Sequence, residues 1–338
     1  VQMSTSFLEL AEVVVISDIG LRAIVRETLE NISATYGAND YLLKAYSRRY
    51  DIDNGEYAQL IDAMLTIRDK PYLPMQEKGN DLTPNAPPTD NRFKAWVDEF
   101  RMSDYAGSSP ERFQSRKAKQ YALLAGYYGP TNSVRRHEIH WANAIVGIDS
   151  MEFTNRGEYL EGQDTLIRIA YKFSPPKRER NARTTYIINT YFSGELLINL
   201  TDRAILRNTW GNLDIGFYSD VRYQKHQGKY YLKQISRDGY FRYDSLRQKN
   251  QYNYLLYVTD VITDRKSIKQ YRKGNRINPE LMVEEVRTSY RPAFWAKNEI
   301  IQKIPAPEAL EMSISRMRSL KEQFLDNARR VKRDSMRK

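Results

Sequence analysis

Leu166-Ile167-Arg168-Ile169-Ala170-Tyr171-Lys172-Phe173, Glu195-Leu196-Leu197-Ile198-Asn199 and Ala204-Ile205-Leu206-Arg207-Asn208-Thr209-Trp210 decide the fold class of this chain. Each is short, rich in β-branched or aromatic residues and bounded by turn residues, the pattern of consecutive strands. The series is longer than these three. Phe153 to Leu160 precedes them, and Thr184 to Phe192, Val221 to Lys225, Tyr230 to Ser236, Tyr240 to Leu246 and Tyr252 to Ile262 read the same way. Between them stand turn signals: Gly162 with Asp164, Leu200-Thr201-Asp202, Gln227-Gly228-Lys229 and Asp238-Gly239. Connections this short carry no crossovers, so residues 153 to 262 are predicted to form one continuous antiparallel sheet with one apolar face.

Outward from that meander the pattern changes. Tyr41 to Ile52 and Tyr57 to Arg68 alternate as two antiparallel strands around a turn at Asp53-Asn54-Gly55. Upstream, Ser17 or Asp18 can cap a helix whose apolar positions Leu21, Ile24, Val25, Leu29 and Ile32 recur at helical spacing, with Gly37 to end it. The run Phe7 to Ile16 before it reads as the last strand of a domain whose remainder is absent. Arg68 to Pro88 is rich in Pro, Asn and Asp and reads as a linker. Phe93, Trp96, Val97 and Phe100 keep helical spacing, as do Phe113, Ala118, Tyr121 and Leu124, which predicts two short helices. Glu308 to Arg330 places Leu310, Ile314, Met317, Leu320 and Phe324 on one stripe of a single amphipathic helix. The expected division is 1–16, last strand of a β-sandwich; 17–68, helix plus strand pair; 69–148, linker and helical excursion; 149–290, sheet; and 291–338, C-terminal helices with a basic tail. The fold class is α+β: a large curved antiparallel β-sheet, half-barrel-like, with N-terminal and C-terminal helices.

The 338 residues suffice for one large or two modest cores, and 25 tyrosines in alternating segments favour sheet over helix bundle. With no cysteine, disulfides and thiolate metal sites are excluded. The net charge of +11 suggests nucleic acid at first sight, but Arg316 to Lys338 alone holds nine Lys or Arg against three Asp or Glu. About half of the excess is therefore local to one tail. Arg329, Arg330, Lys332 and Arg333 in it are the candidate contacts for an acidic partner or an anionic membrane surface.

No catalytic constellation emerges. His137-Glu138-Ile139-His140 is one residue short of the one-turn spacing of a zinc helix, and on a strand its rings would diverge, so no transition metal is predicted there. Asp149 with Glu152 and Glu158 with Glu161 are the nearest carboxylate pairs for a hydrolase, without a sign of a shared cleft. Tyr and Arg interleave at Arg222-Tyr223, Arg242-Tyr243 and Tyr271-Arg272, which on strands reads as rings inward and guanidinium groups outward. A phosphate-cradling Gly-rich loop and a Gly-x-Ser-x-Gly elbow are lacking, and no cofactor is expected.

Two family likenesses attach to particular residues. Leu10-Ala11-Glu12-Val13-Val14-Val15, Asn31-Ile32 with Tyr36, Tyr46-Ser47-Arg48-Arg49, Ala63 to Ile67, and Pro292-Ala293-Phe294-Trp295 with Asn298 and Ile300 together resemble the region downstream of the β-sandwich in carboxypeptidase-like regulatory-domain proteins of Bacteroidota. Gly194 to Asn199, then Arg203-Ala204-Ile205-Leu206, then Gly228-Lys229-Tyr230-Tyr231-Leu232 is similar to the hairpin order of lipoprotein-carrier (lipoprotein-sorting) half-barrels, with Asn199 where an Asp is common and Tyr230 where a Trp is common. These resemblances imply a non-catalytic protein of the periplasm, associated with the outer membrane, that binds or scaffolds as an accessory subunit of an outer-membrane assembly. The alternatives are a carrier holding an apolar or lipid ligand in the curved sheet and a hydrolase acting on glycan or peptide. Nucleic acid is not expected as a partner.

Overall fold

The computed structural model describes residues 17–37, 39–53, 55–70, 94–107, 119–124, 127, 132–136, 148–173, 192–212, 217–241, 250–271, 275–278, 281–286, 290–315 and 318–336. Eleven strands make one antiparallel sheet: β1 (Tyr41–Asp53), β2 (Glu56–Asp69), β3 (Lys94–Met102), β4 (Met151–Glu161), β5 (Asp164–Phe173), β6 (Phe192–Asn199), β7 (Ala204–Asn212), β8 (Phe217–His226), β9 (Lys229–Phe241), β10 (Asn250–Ile262) and β11 (Asn275–Arg276). Their order across the sheet is β11-β3-β2-β1-β10-β9-β8-β7-β6-β5-β4, so the sheet is open, with β4 and β11 at its edges. The chain starts mid-sheet, runs outward to β3, crosses to the far edge at β4 and meanders back until β10 lies against β1. The strand pair and the meander thereby share one ladder. Helices flank it in sequence: α1 (Asp18–Glu30), α2 (Ile32–Thr35), α3 (Ser133–Arg136), α4 (Arg265–Gln270), α5 (Pro292–Lys297), α6 (Glu299–Lys303), α7 (Glu308–Ile314) and α8 (Leu320–Met336).

One face of the sheet carries the main core. Leu43 and Ala45 of β1, Ile61 to Ile67 at alternate positions of β2, Ile167 to Phe173 at alternate positions of β5, and Val221, Leu232, Ile235, Leu256 and Val258 join Leu21 and Val25 of α1 there. Ser17 caps α1 by accepting the Gly20 N–H, while Asp18 accepts the Phe153 N–H and so ties the helix to β4. Tyr36 donates its hydroxyl to the Ile205 carbonyl at 2.6 Å and packs edge-on against Tyr223. Over β1 to β3 the opposite face is buried too, by Tyr46 with Trp295 and Ile300, and by Leu60 with Leu310, Ile314 and Phe324. Strands covered on both sides lose the polar alternation of a half-exposed sheet. Farther along, the same face of β5 to β8 is charged, with Arg168 paired to Glu195, and Arg207 and Arg222 both paired to Asp220.

Three expectations give way. Trp96, Val97 and Phe100 lie on strand β3, not on a helix, because the pairing with β2 slips between Leu65↔Val97 and Met64↔Glu99. The extra residue, Asp98, changes the side-chain parity, so that Ala95, Val97, Phe100 and Met102 all reach the core at a spacing that imitates a helix. Of the second predicted helix only residues 119–124 are described, Gln120–Leu124 being a single 3₁₀ segment. Asp238-Gly239 is no turn: both residues sit inside β9, where Gly239 opposes Tyr252, and a Cβ on Gly239 would come within 2.6 Å of that ring. The predicted single C-terminal helix is two, α7 and α8. Ser319 and Glu322 exchange side-chain-to-backbone bonds in a capping box that starts α8, and Gln323 donates to the Ile314 and Arg318 carbonyls at the break. Residues 1–16, His137, His140, Arg242, Tyr243, Arg272, Met317 and the segment Thr184 to Tyr191 lie outside the described residues.

Gly194 shows how tightly the meander is fitted. Tyr171 lies across it to donate its hydroxyl to Asn208 at 2.9 Å, and a Cβ at Gly194 would fall 2.0 Å from the Thr209 carbonyl oxygen and 2.5 Å from the tyrosine oxygen. Gly194→Ala must spread β6 from β7 or displace Tyr171, and is expected to lower stability by about 1 to 3 kcal/mol in denaturant titrations. A loss under a few tenths of a kcal/mol would show that the ladder yields freely.

Candidate functional site

The site begins with charges that strands rarely bury. Tyr46 and Arg48 on β1, Asp62 on β2 and Arg101 on β3 project from the face opposite α1, and cross-strand register brings them together, Arg48 directly opposite Asp62 and Asp62 opposite Arg101. The Asp62 carboxylate is fully buried and accepts from Tyr46 Oη at 2.7 Å, from Arg48 Nε at 2.9 Å and from both Nε and Nη2 of Arg101 at 2.9 and 2.7 Å. Burial alone would raise its pKa, but the two guanidinium groups outweigh that and hold it below the usual aspartate range.

This cluster anchors the C-terminal helices. Arg48 donates a further bond to the Ile304 carbonyl at 2.8 Å, and the Arg101 guanidinium lies 4.4 Å from the Trp295 ring and 5.0 Å from that of Phe324. Arg291 pairs with Glu99, Arg318 with Asp104, and Asn327 donates to the Met102 carbonyl at 2.9 Å. The segment 290–330 is thus strapped across β1 to β3 by polar contacts at several points along its length.

Where the strap passes β10 and β9 it stands off the sheet and leaves a half-open groove of about 800 Å³. Lys233, Tyr257 and Thr259 form the strand wall; Phe294, Lys297, Asn298, Ile300 and Lys303 form the helix wall with Ala293 and Glu299. Asn298 fixes the bend between α5 and α6, its side chain capping α6 through the Ile300 N–H. The backs of Phe294 and Ile300 rest on the Tyr46–Trp295 cluster, so the wall is held from behind. The Lys233 ammonium sits 4.5 Å above the Tyr257 ring. Lys303 lies 3.7 Å from Glu299 in an exposed pair, and among the described residues neither Lys233 nor Lys297 has a carboxylate at ion-pair distance. The groove is basic at its rim and aromatic along its wall.

Other polar clusters are self-contained. Thr66 donates to Asp98 at 2.5 Å and accepts from Lys44 at 2.6 Å, but the Thr66 hydroxyl is fully buried and open to no substrate. Buried Asp69 takes bonds from Arg135, Tyr41 and Tyr127. The sequence-nominated carboxylates do not converge: Asp149 pairs with Arg26, and Glu158 accepts from Asn155 at the exposed end of β4. No group of three metal-ligating side chains occurs among the described residues. Arg222 points outward and Tyr223 inward, as the strand reading of that pair expects. Arg329 and Arg330 are exposed on α8, Arg329 lying 3.5 Å from Asp326; Lys332 and Arg333 belong to the same helix. Arg329 and Arg330 are not among the residues that line the groove. The groove itself went unread in the sequence, where Lys233 and Lys297 stand 64 positions apart without a motif to join them.

Asp220 supplies a pH test of the surface network. Burial raises its pKa, but bonds from Arg207 and Arg222 outweigh that and lower it. Its stabilising contribution is therefore present above the ordinary aspartate value of 3.8 and lost as pH falls through the lower folded value. Since both arginines are more than a third exposed, Asp220→Asn is expected to cost only about 1 kcal/mol at pH 7. That difference from wild type should shrink as pH falls through the lowered folded value in urea titrations, and a gap that widens on acidification would contradict the assignment.

No protein-family model and no curated protein sequence matches the chain, so the carboxypeptidase-like likeness gains no support. Among solved structures it is similar to a DUF1329 family protein from Desulfovibrio piger (TM-score 0.29, 9% identity, covering 76% of this chain and 98% of that one). It is also similar to a domain described as an outer membrane lipoprotein-sorting protein from Vibrio parahaemolyticus (TM-score 0.28, 8% identity, 72% and 96%) and to a LolA superfamily protein from Nitrosomonas europaea (TM-score 0.27, 9% identity, 75% and 97%). At these TM-scores the likenesses carry no argument about activity. Among the described residues no helix is long and apolar enough to cross a membrane.

Proposed function

We propose that this chain is a non-catalytic binding protein of the periplasm, working beside the outer membrane, and that the groove between β9–β10 and α5–α6 is its binding site. The observation that carries the reading is the groove: a cavity of about 800 Å³, within the size range of small-molecule sites, whose aromatic wall is held from behind by a buried cluster. The face of the sheet beneath α1 supports a carrier role less well, because its described side chains are already packed against protein. The hairpin order shared with lipoprotein-sorting half-barrels supports the cellular setting. The test uses an uncharged fluorescent probe, N-phenyl-1-naphthylamine, on the full chain. Saturable binding lost in Ala293→Trp, which fills the groove, is the expected result; binding that survives this change, or none in wild type, overturns the reading.

The basic end of α8 is the proposed contact with an acidic partner in an outer-membrane assembly. Because Asn327 is used within the fold, the truncation that isolates this contact removes residues 328 to 338 only. Thermal stability should change little, while association with native envelope fractions should weaken and lose its salt dependence at a few tenths molar, where the Debye length is below about 6 Å. Unaltered salt resistance on truncation would leave the tail a solvated helix end.

A further inference from the structure

We infer that the groove selects a monomeric anionic amphiphile, one apolar chain bearing a phosphate- or carboxylate-type head, an inference that rests on the reading of the groove as the binding site. Three lysines reach it from two sides, Lys233 from the sheet and Lys297 and Lys303 from the strap, against the single carboxylate of Glu299. The Glu299–Lys303 pair is 3.7 Å apart with both side chains about two-thirds or more exposed, so it neutralises little and fixes neither partner. Lys233 is placed differently: its ammonium is held 4.5 Å over the Tyr257 ring, in a groove whose lining also includes Phe294 and Ile300.

Each simpler ligand leaves part of this surface unmatched. A bare anion satisfies the lysines but leaves the aromatic wall wet. An uncharged apolar molecule covers the wall but offers Lys233 and Lys297 no counter-charge. A molecule with both properties meets both. The groove is half-open but has walls on two sides, sheet and helix, which suits one chain better than the face of a bilayer.

The test displaces the uncharged probe from the full chain with decyl phosphate, with decyl maltoside and with inorganic phosphate, all below micellar concentration. Decyl phosphate is expected to bind about tenfold more tightly than decyl maltoside, and inorganic phosphate alone not to displace the probe. The Lys233→Met/Lys297→Met variant should lose that advantage, and a thermal unfolding midpoint close to that of wild type shows that it folds. Equal binding of the two decyl compounds by wild type, or an advantage kept by the variant, overturns the inference and leaves the groove a site for uncharged ligands. Cosedimentation with anionic phospholipid vesicles without saturable decyl phosphate binding overturns it in favour of a membrane surface. Failure of the probe itself to bind removes the underlying reading.

Discussion

Asp62→Ala is expected to lower the unfolding free energy by about 3 to 5 kcal/mol, the largest single effect we anticipate in this protein. The substitution removes the one carboxylate that accepts from Arg48, Arg101 and Tyr46, and leaves two guanidinium groups beneath the strap without a counter-ion. Arg48 is 3% exposed, so it cannot recover hydration without moving Ile304, whose carbonyl it also holds. The loss should be partly reversed in Asp62→Leu/Arg48→Met/Arg101→Met, where charge and counter-charge leave together. Guanidinium titrations at pH 7 measure both. A single-variant loss under 1 kcal/mol would mean that water reaches the cluster.

Trp295→Ala should be nearly as damaging, by about 3 to 5 kcal/mol of packing at its site, but the effect should be local in character. Trp295 is 2% exposed, packs on Tyr46 and Ile300, and offers its ring face to Arg101. Among the described residues its indole N–H has no hydrogen-bond partner, so packing and the cation contact are what it contributes there. The main core lies on the other face of the sheet and does not touch it. Hydrogen exchange should therefore quicken across residues 290–315 well before β5 to β8 respond, and probe binding in the groove should fall because Phe294 and Ile300 lose their backing. Uniform exchange across strap and sheet would show a single cooperative unit instead.

How much of this was legible in advance follows from the range of the interactions concerned. The meander was, because hairpins are local: Gln227 and Gly228 adopt positive φ at a two-residue turn and fix the register of β8 and β9 between them. The helix cap at Ser17 was legible for the same reason. Strand β3 was misread because a bulge at Asp98 inserts one residue and imitates helical spacing, and Gly239 was misread because its partner, Tyr252, covers it from another strand. The break between α7 and α8 had a local signal in Ser319 and Glu322, masked by an apolar stripe that runs through it.

The candidate site divides along the same line. The basic tail, with Arg329, Arg330, Lys332 and Arg333, is a property of adjacent residues and is visible in the chain as written. By itself the sequence determined the antiparallel class, most hairpin turns, the inward Tyr223 and the charge of the tail, since each depends on near neighbours; Tyr271 caps the helix Arg265–Gln270 and is on no strand. Only the tertiary structure decided that β10 closes against β1, that Asp62 meets both Arg48 and Arg101, and that Lys233, Lys297 and Phe294 bound one groove. Those pairings join residues tens to hundreds of positions apart, and the burial that selects them exists only once the strap covers the second face of the sheet.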